Sequence, residues 1–517
     1  MERPPVKWTA GEAVKQSFLL AVWIGALVLV LTYLPNRIWD EGAATMVVSL
    51  GAIAAWRYGW WALNLVRSII YARLVFPRLR RRADALWRSG WRPRMMHFMV
   101  TTFKEKPEIT RLVMESIFDE CRSTGVPARV FVGTGDRSDE LVIEDFCKRT
   151  RDVDAQVYLL RQNIPGKRVA MALSLRSMCR HGVEPDDIVV FMDGDSIILA
   201  GAMEKCAPLF GKNPELGGVT TDECGIVNGP KWMGDWTDMR FAQRRIAMQS
   251  HALSRKVLTL TGRFSIFRGG VVTQPEFIQT LEADHLDHWL WGRFRFMSGD
   301  DKSTWYSLLK SGHEMLYVPD AFALTIENIG PHALERVKAN LMRWSGNMLR
   351  NGYRALALGP RRVGFFIWWC VLDQRLSVWT GLSGPAMALA TSLLFGPKVW
   401  VAYFVWVAVT RTILSIVLYF FAGRIFVSFP FLLYGNQILG SAIKVYLLFR
   451  VNKQRWLNRG DQRQKAASSR LLPFQHAMAS FLTLLYISVF FLAVCLKTGV
   501  LTLSALSDAA HGLLWRP

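Results

Sequence analysis

Long apolar runs constrain this chain more than any other feature. Ser17–Leu34 is an 18-residue run without charge, Leu376–Phe395 is one of 20 and Met478–Leu496 one of 19. Each is close to the length that crosses the hydrocarbon core of a bilayer. Two further stretches carry one arginine apiece, Ala43–Leu65 with Arg57 and Val399–Phe421 with Arg411. Five spanning helices are therefore expected. The first run is closed by Tyr33-Leu34-Pro35-Asn36-Arg37 rather than by a small-residue cleavage site, so it does not read as a removable signal.

A net charge of +22 points first to nucleic acid, but the basic residues cluster beside the apolar runs. Pro77–Arg94 holds seven arginines, and Arg450–Arg470 holds seven lysines and arginines against one aspartate. The positive-inside rule places both clusters in the cytosol, with the N-terminus and the region from about Arg67 to Arg375. No nucleic-acid partner is expected. Phe429–Phe449 is apolar enough to span, yet a crossing there would put the second cluster outside. It contains Pro430, Gly435, Asn436, Gln437, Gly440 and Lys444, and is read as a helix lying in the interface. The seven cysteines show no C-x-x-C spacing, so neither disulfides nor zinc is expected.

Between the first hairpin and the later runs the pattern changes. Strands are predicted over Met96–Thr102, Ala128–Val132, Val157–Leu160 and Ile188–Met192, alternating with helices over Ile109–Thr124, Asp139–Lys148 and Val169–Arg180. That rhythm predicts an α/β domain with a mostly parallel, doubly wound sheet. Such sheets bind ligands at the carboxyl ends of their strands. Ile188–Met192 is an apolar run that ends in Asp193-Gly194-Asp195, so two carboxylates stand where a ligand would. They can converge on one hard cation and a diphosphate, or form nothing more than a solvated turn.

Four other groups stand out. Gly133-Thr-Gly-Asp136-Arg-Ser-Asp139-Glu follows a strand and offers acceptors to a base or ribose; alone it is a helix start capped by Ser138 or Asp139. Pro165-Gly166-Lys167-Arg168 opens a helix, where backbone N–H groups and a lysine suit a phosphate. Ser298-Gly299-Asp300-Asp301-Lys302-Ser303 precedes a helix over Ser303–Lys310, with N-capping as the plain reading of either aspartate. Pro331–Arg350 is an amphipathic basic helix containing Arg336, Lys338, Arg343 and Arg350. His285 and His288 lack the H-E-x-x-H pattern and are not assigned to a metal. Trp368, Trp369, Trp379, Trp400 and Trp406 suit the lipid interface.

In this order, Asp136/Asp139, Lys167, Asp193/Asp195, Gly299-Asp300-Asp301 and Arg343-Trp344 resemble the processive family 2 glycosyltransferases, membrane synthases of cellulose, chitin, hyaluronan and alginate. The wording of Leu260–Arg268, Leu286–Trp289 and Gly299–Ser303 is most similar to the catalytic subunits of bacterial alginate synthase. The family's Q-x-x-R-W reads Asn340-Leu-Met-Arg343-Trp344 here, and its first nucleotide block reads GTGDRSDE.

The resemblance implies a GT-A-type nucleotide-sugar domain inserted in a transmembrane domain of about five spans plus interface helices, in a bacterial inner membrane. The implied layout is a hairpin and basic collar (1–91), a cytosolic transferase domain (92–330), interface helices (331–375), a second hairpin (376–428), an interface helix and gating loop (429–475) and a last span (476–517). It implies donor contacts from Thr101, Asp136, Asp139, Lys167, Asp193 and Arg343, and a Mg²⁺ or Mn²⁺ ion on Asp193 and Asp195. Asp301, with Asp300 beside it, would be the base. Arg263, Asn340 and Trp344 would meet the acceptor, Arg263 or Arg268 would pair a uronate carboxylate, and Trp456 and Arg459 would gate. The implied reaction is inverting polymerisation of GDP-mannuronate into β-1,4-polymannuronate, exported across the membrane. Synthesis of a neutral β-glucan from a UDP-sugar, or transfer to a polyisoprenyl phosphate, are the competing readings. The implied partners are the sugar nucleotide, the growing chain, lipids and a separate membrane protein that binds cyclic-di-GMP.

Overall fold

A computed structural model describes residues 9–35, 38, 40–162, 166–296, 298–454 and 471–504. The chain divides into two compact units, one built on Asn64–Asp373, the other on the described residues of 9–63, 374–453 and 471–504.

The first unit is organised by an eight-stranded sheet. Its strands are β1 (Met96–Thr102), β2 (Ala128–Thr134), β3 (Ala155–Arg161), β4 (Ile188–Asp193), β5 (Ser196–Ile198), β6 (Leu216–Asn228), β7 (Phe264–Arg268) and β10 (Glu314–Asn328), in the order β3-β2-β1-β4-β7-β6-β10-β5. A separate hairpin pairs β8 (His285–His288) with β9 (Gly292–Arg295). β3, β2, β1 and β4 run parallel, as do β6 and β10, while β7 enters antiparallel between β4 and β6. The four predicted strands are all present, each extended by a residue or more except β1. β4 is buried from Ile188 to Met192, which is why its sequence is an uninterrupted apolar run.

Register places the functional end of the sheet. Thr101 pairs with Gly133 on one side and Asp193 on the other, and Gly133 pairs with Leu160, so four parallel strands finish at one level. Gly194 has a steric reason to be glycine. A Cβ there would lie 2.8 Å from the Thr101 carbonyl oxygen, which accepts the Gly194 N–H at the same distance.

Two helix starts differ from the expected caps. Arg137–Arg149 is capped by Asp136, whose side chain accepts from the Ser138 N–H, and not by Ser138 or Asp139. Asp139 lies one turn inside, buried, where it accepts from Thr102 Oγ1 at 3.0 Å and the Glu105 N–H at 3.2 Å. Asp300–Ser311 begins at the first aspartate. Its cap position is Gly299 at φ +86°, without a side-chain cap bond, so capping does not account for Asp300 or Asp301.

The second unit is helical. Among the described residues, four helices are long and apolar enough to cross a membrane by length and composition: Ala10–Tyr33, Phe365–Phe395, Lys398–Ala422 and Leu472–Thr498. The expected fifth span forms a 30-residue helix, Glu41–Ile70, but is not among them. Arg57, Tyr58 and the tryptophans at 56, 60 and 61 dilute its hydropathy. Phe429–Leu447 is a 19-residue helix and is likewise outside the four. Met46, Met387, Ala388, Val399, Tyr403 and Val494 share an apolar core. Arg411, half-buried in a span, donates to the Gln437 side chain, which answers the cost of an unpartnered cation there. Leu29, Phe420 and Leu484 keep more than half their surface exposed, as lipid-facing side chains do.

Candidate active site

Lys167 ties two of the acidic motifs together. Gly166, extended at φ −178°, precedes the helix Lys167–Arg180, and the first residue of that helix sends its ammonium to two carboxylates. Nζ lies 2.6 Å from Asp193 Oδ1, at the end of β4, and 2.7 Å from Asp300 Oδ2, at the start of Asp300–Ser311. Two motifs 107 positions apart in sequence are thus joined by one cation. Gly262 keeps the approach open: a Cβ there would stand 3.0 Å from Nζ and within 3.4 Å of both carboxylates.

The four aspartates are not equivalent. Burial raises the Asp193 carboxyl, Lys167 opposes the rise, Asp195 and Asp300 add to it, and the outcome is about 6. Burial also works against ionised Asp300, but Lys167 and Arg168 outweigh it and hold that carboxyl below the ordinary range. Asp301 is raised, first by burial and then by the negative Asp300 beside it. Its Oδ2 accepts from Thr259 Oγ1 at 3.1 Å. Lys302 donates to the Leu258 carbonyl and burial pushes its ammonium down to about 8, the Asp301 charge resisting. Asp195 is half-buried and makes no hydrogen bond or ion pair among the described residues.

Buried groups brace the Gly299 turn from behind. Arg168 donates to the carbonyls of Leu281 at 2.9 Å and Ser298 at 3.2 Å and to Ser303 Oγ at 3.0 Å. Asn347 accepts from Ser298 Oγ at 3.0 Å, and its amide would lie 2.7 Å from a Cβ on residue 299. Asp284 is taken by Arg354 and Ser303, so the acids and histidines of that segment have structural partners.

The chain as a whole is similar to known proteins. The model of the family "Glycosyltransferase like family 2" matches residues 93–347. Glycosyltransferase alg8 of Pseudomonas syringae pathovar tomato is 39% identical over 426 residues, 82% of this chain and 86% of that protein. Glycosyltransferase alg8 of Azotobacter vinelandii is 35% identical over 495 residues, 95% of this chain and 99% of that one. The chain belongs to the family 2 glycosyltransferases. It is a glycosyltransferase with helices of membrane-spanning type, similar along most of its length to these two alg8 proteins. A solved mannosyltransferase from Pyrobaculum calidifontis is 14% identical, covers 74% of this chain and 98% of its own, and has a TM-score of 0.41, too low to carry weight here.

Other site residues of this family 2 enzyme fall in two groups. Thr101 lies beside Asp193 in the sheet, and Asp136 stands at the mouth of β2, 3.9 Å from Lys104 Nζ, with its carboxyl lowered chiefly by Ser138. Asp139, by contrast, is committed to Thr102 and Glu105, and its carboxyl is raised by burial. Arg343 lies on the helix Ala333–Ala357, within 3.5 Å of Asn340 Oδ1. Burial lowers its guanidinium and so does Arg336, whereas Asp301 and Asp300 pull the other way. Trp344 stacks on Trp236, with ring centroids 5.9 Å apart and planes 9° from parallel, and Arg240 lies 5.3 Å from its ring centroid.

Two expected carboxylate readers are otherwise engaged. Arg263 pairs with Glu223 Oε2 at 2.7 Å and Glu327 Oε1 at 3.0 Å. Arg268 pairs in register with Ile188, at the far end of β4 from Asp193, and donates to main-chain carbonyls of Phe210, Asn213 and Leu216. Trp456 and Arg459 lie outside the described residues. Sequence reasoning missed Thr259, Gly262, Lys302, Trp236 and Arg240. Two left a trace: Lys302 stands next to the acidic pair, and Gly262 lies within the Leu260–Arg268 wording.

Proposed function

We propose that this chain transfers mannuronate from GDP-mannuronate to the non-reducing end of a growing β-1,4-polymannuronate. The observation that carries this reading is the Lys167 bridge between Asp193 and Asp300, which sets Asp301 next to the donor-binding carboxylates. Asp301, the raised and less tightly paired member of its doublet, takes the acceptor hydroxyl proton. The hydroxyl oxygen bonds to the anomeric carbon as the carbon–phosphate oxygen bond breaks and GDP leaves. Attack from the face opposite the leaving group inverts the centre.

Asp193 and Asp195 suit a divalent cation. Two carboxylates, one of them without a hydrogen bond or ion pair among the described residues, match the way Mg²⁺ and Mn²⁺ are held by a pair of acids together with substrate phosphates. When bound, that ion would neutralise charge growing on the departing diphosphate. Lys167 stands against the same charge, and Arg343 approaches from the helix Ala333–Ala357. The basic clusters at Pro77–Arg94 and Arg450–Arg470 support a cytosolic transferase domain in the inner membrane, with the chain exported through the helical unit. A separate cyclic-di-GMP-binding membrane protein completes the machine.

Incubating membranes that contain the chain with a panel of GDP- and UDP-sugars tests the reading. Polymer is expected from GDP-mannuronate with Mg²⁺ or Mn²⁺; polymer from a neutral UDP-sugar alone would replace it with a β-glucan synthase.

A further inference from the structure

Arg411 stands near the middle of the 25-residue helix Lys398–Ala422, about 16–20 Å from either end at the rise of an α-helix. Phospholipid headgroups lie at the ends of such a helix, and a guanidinium set among lipid tails is costly. Arg411 donates to the Gln437 side chain, on the helix Phe429–Leu447, and has no other hydrogen bond and no carboxylate partner among the described residues. The helical unit has little to offer it. Its described residues hold three acids, Glu12, Asp40 and Glu41, each at or just before the start of a helix, and Asp40 is taken by Lys398. Lys398, at a helix end, thus has its counter-ion, whereas Arg411, in the middle, has a neutral amide.

Around that amide three helices meet through polar groups. Gln437 Nε2 donates to the Gly381 carbonyl at 3.5 Å, and a Cβ on Gly381 would lie 3.0 Å from the Gln437 carbonyl oxygen and against Ser441 Oγ. The Tyr403 hydroxyl, 2.8 Å from where a Cβ on Gly384 would be, meets the Tyr434 hydroxyl at 3.1 Å. Both glycines belong to Thr380–Phe395 and let it approach this closely. Arg411, Tyr434 and Gln437 still keep part of their surface exposed. Amides and hydroxyls join apolar helices without any charge, so packing alone does not call for an arginine. A fixed cation without a fixed counter-ion suits an anion that comes and goes. Gln437 occupies one nitrogen of the fork, and the rest can grip a carboxylate through two hydrogen bonds.

We propose that Arg411, held by Gln437, is a carboxylate-binding site within the helical unit, met by successive uronate groups of the polysaccharide as it crosses. The inference rests on the proposed mannuronate product and its export, and adds to them a group that favours an acidic chain over a neutral one on the way out. Each sugar of such a chain brings one carboxylate, so the site is refilled as the chain advances, and a single arginine binds weakly enough to let go. A phospholipid phosphate offers the same chemistry but belongs to the ends of the helix rather than its middle.

The test uses the purified full-length chain in phosphatidylcholine nanodiscs and two probes, a mannuronate dodecamer and its carboxyl-reduced, neutral counterpart, with binding measured by calorimetry. Wild-type protein is expected to prefer the acidic dodecamer. Arg411→Gln should weaken that dodecamer about 10-fold to 100-fold, the range of one charged contact, and leave the neutral dodecamer and GDP unchanged. Gln437→Glu gives Arg411 a counter-ion from within the protein. It should lose the same preference without a fall in unfolding temperature, and it serves should the Arg411→Gln chain not fold. Equal binding of both dodecamers by wild type, an acidic preference that survives both substitutions, or equal loss of both dodecamers would overturn the site. So would an effect of Arg411→Gln that is seen only when phosphatidylglycerol replaces phosphatidylcholine, which would assign the arginine to lipid. Polymer formation from GDP-mannuronate is measured in parallel. Its absence in wild type, with the Arg411-dependent preference intact, would sink the donor assignment and leave the site standing.

Discussion

Asp193-Gly194-Asp195 and Gly299-Asp300-Asp301 use the same residue types and diverge in what surrounds them. In the first, glycine is needed because β1 passes 2.8 Å from where a Cβ would be; in the second, because the backbone turns through φ +86° against Asn347. Each motif gives one carboxylate to Lys167. The carboxylates left over differ. Asp195 has no hydrogen bond or ion pair among the described residues, as a ligand for an added ion would, whereas Asp301 is held by Thr259 and raised by burial and by Asp300. On the proposed mechanism, pairing through one lysine separates a binding acid from a proton-accepting one.

The largest effect should come from cutting the link. Lys167→Met leaves Asp193 and Asp300 facing each other without a cation, and transfer should fall about 10³-fold. Removing one partner from a buried pair should also cost the domain about 3–5 kcal/mol, read by denaturant unfolding of the purified chain. Retained activity with retained stability would mean the two motifs work independently. Asp195→Asn should act on one motif only. We expect a fall of roughly 10²-fold with no change in unfolding midpoint, and a wild-type enzyme that excess chelator silences and Mg²⁺ or Mn²⁺ restores. An Asp195→Asn enzyme that responds to metal as wild type does would remove that residue from the ion.

Asp300→Asn gives a smaller, directional effect. Asp301 accepts a proton only when ionised, so turnover is lost as pH falls through its raised pKa. The charge on Asp300 contributes to that rise, and Lys167, released from Asp300, would favour ionised Asp301 further. Both changes lower the Asp301 pKa, so the acid limb of the pH–rate profile should move to lower pH. A limb that stays or moves upward would contradict the coupling.

Much of this was legible in the sequence because local pattern carried it. The buried β4 strand announced itself as an apolar run stopped by carboxylates, and Gly299 marked the turn before a helix. What escaped depends on partners distant in the chain. Nothing near Arg263 foretells Glu223 and Glu327, brought to it by strands β6 and β10 that pair across about a hundred residues. Thr259 and Gly262 lie among buried apolar residues, Val257, Leu258 and Leu260, and nothing local says that they face the acidic groups. Asp136 rather than Asp139 caps its helix because Asp139 is drawn into the loop after β1, a tertiary contact that local capping preference does not encode. Ala43–Leu65 reads as a span by its count of apolar residues, which overrates tryptophan and tyrosine as lipid-core residues; it forms part of the helix Glu41–Ile70.

The account depends most on Asp301 as the base. Asp301→Asn keeps the size of the side chain and an oxygen for Thr259, and removes only the capacity to take the proton. Measured as polymer formed per folded enzyme alongside GDP-mannuronate binding, turnover should fall about 10²-fold to 10⁴-fold while donor affinity hardly changes. Turnover at the wild-type level in that variant would contradict the assignment.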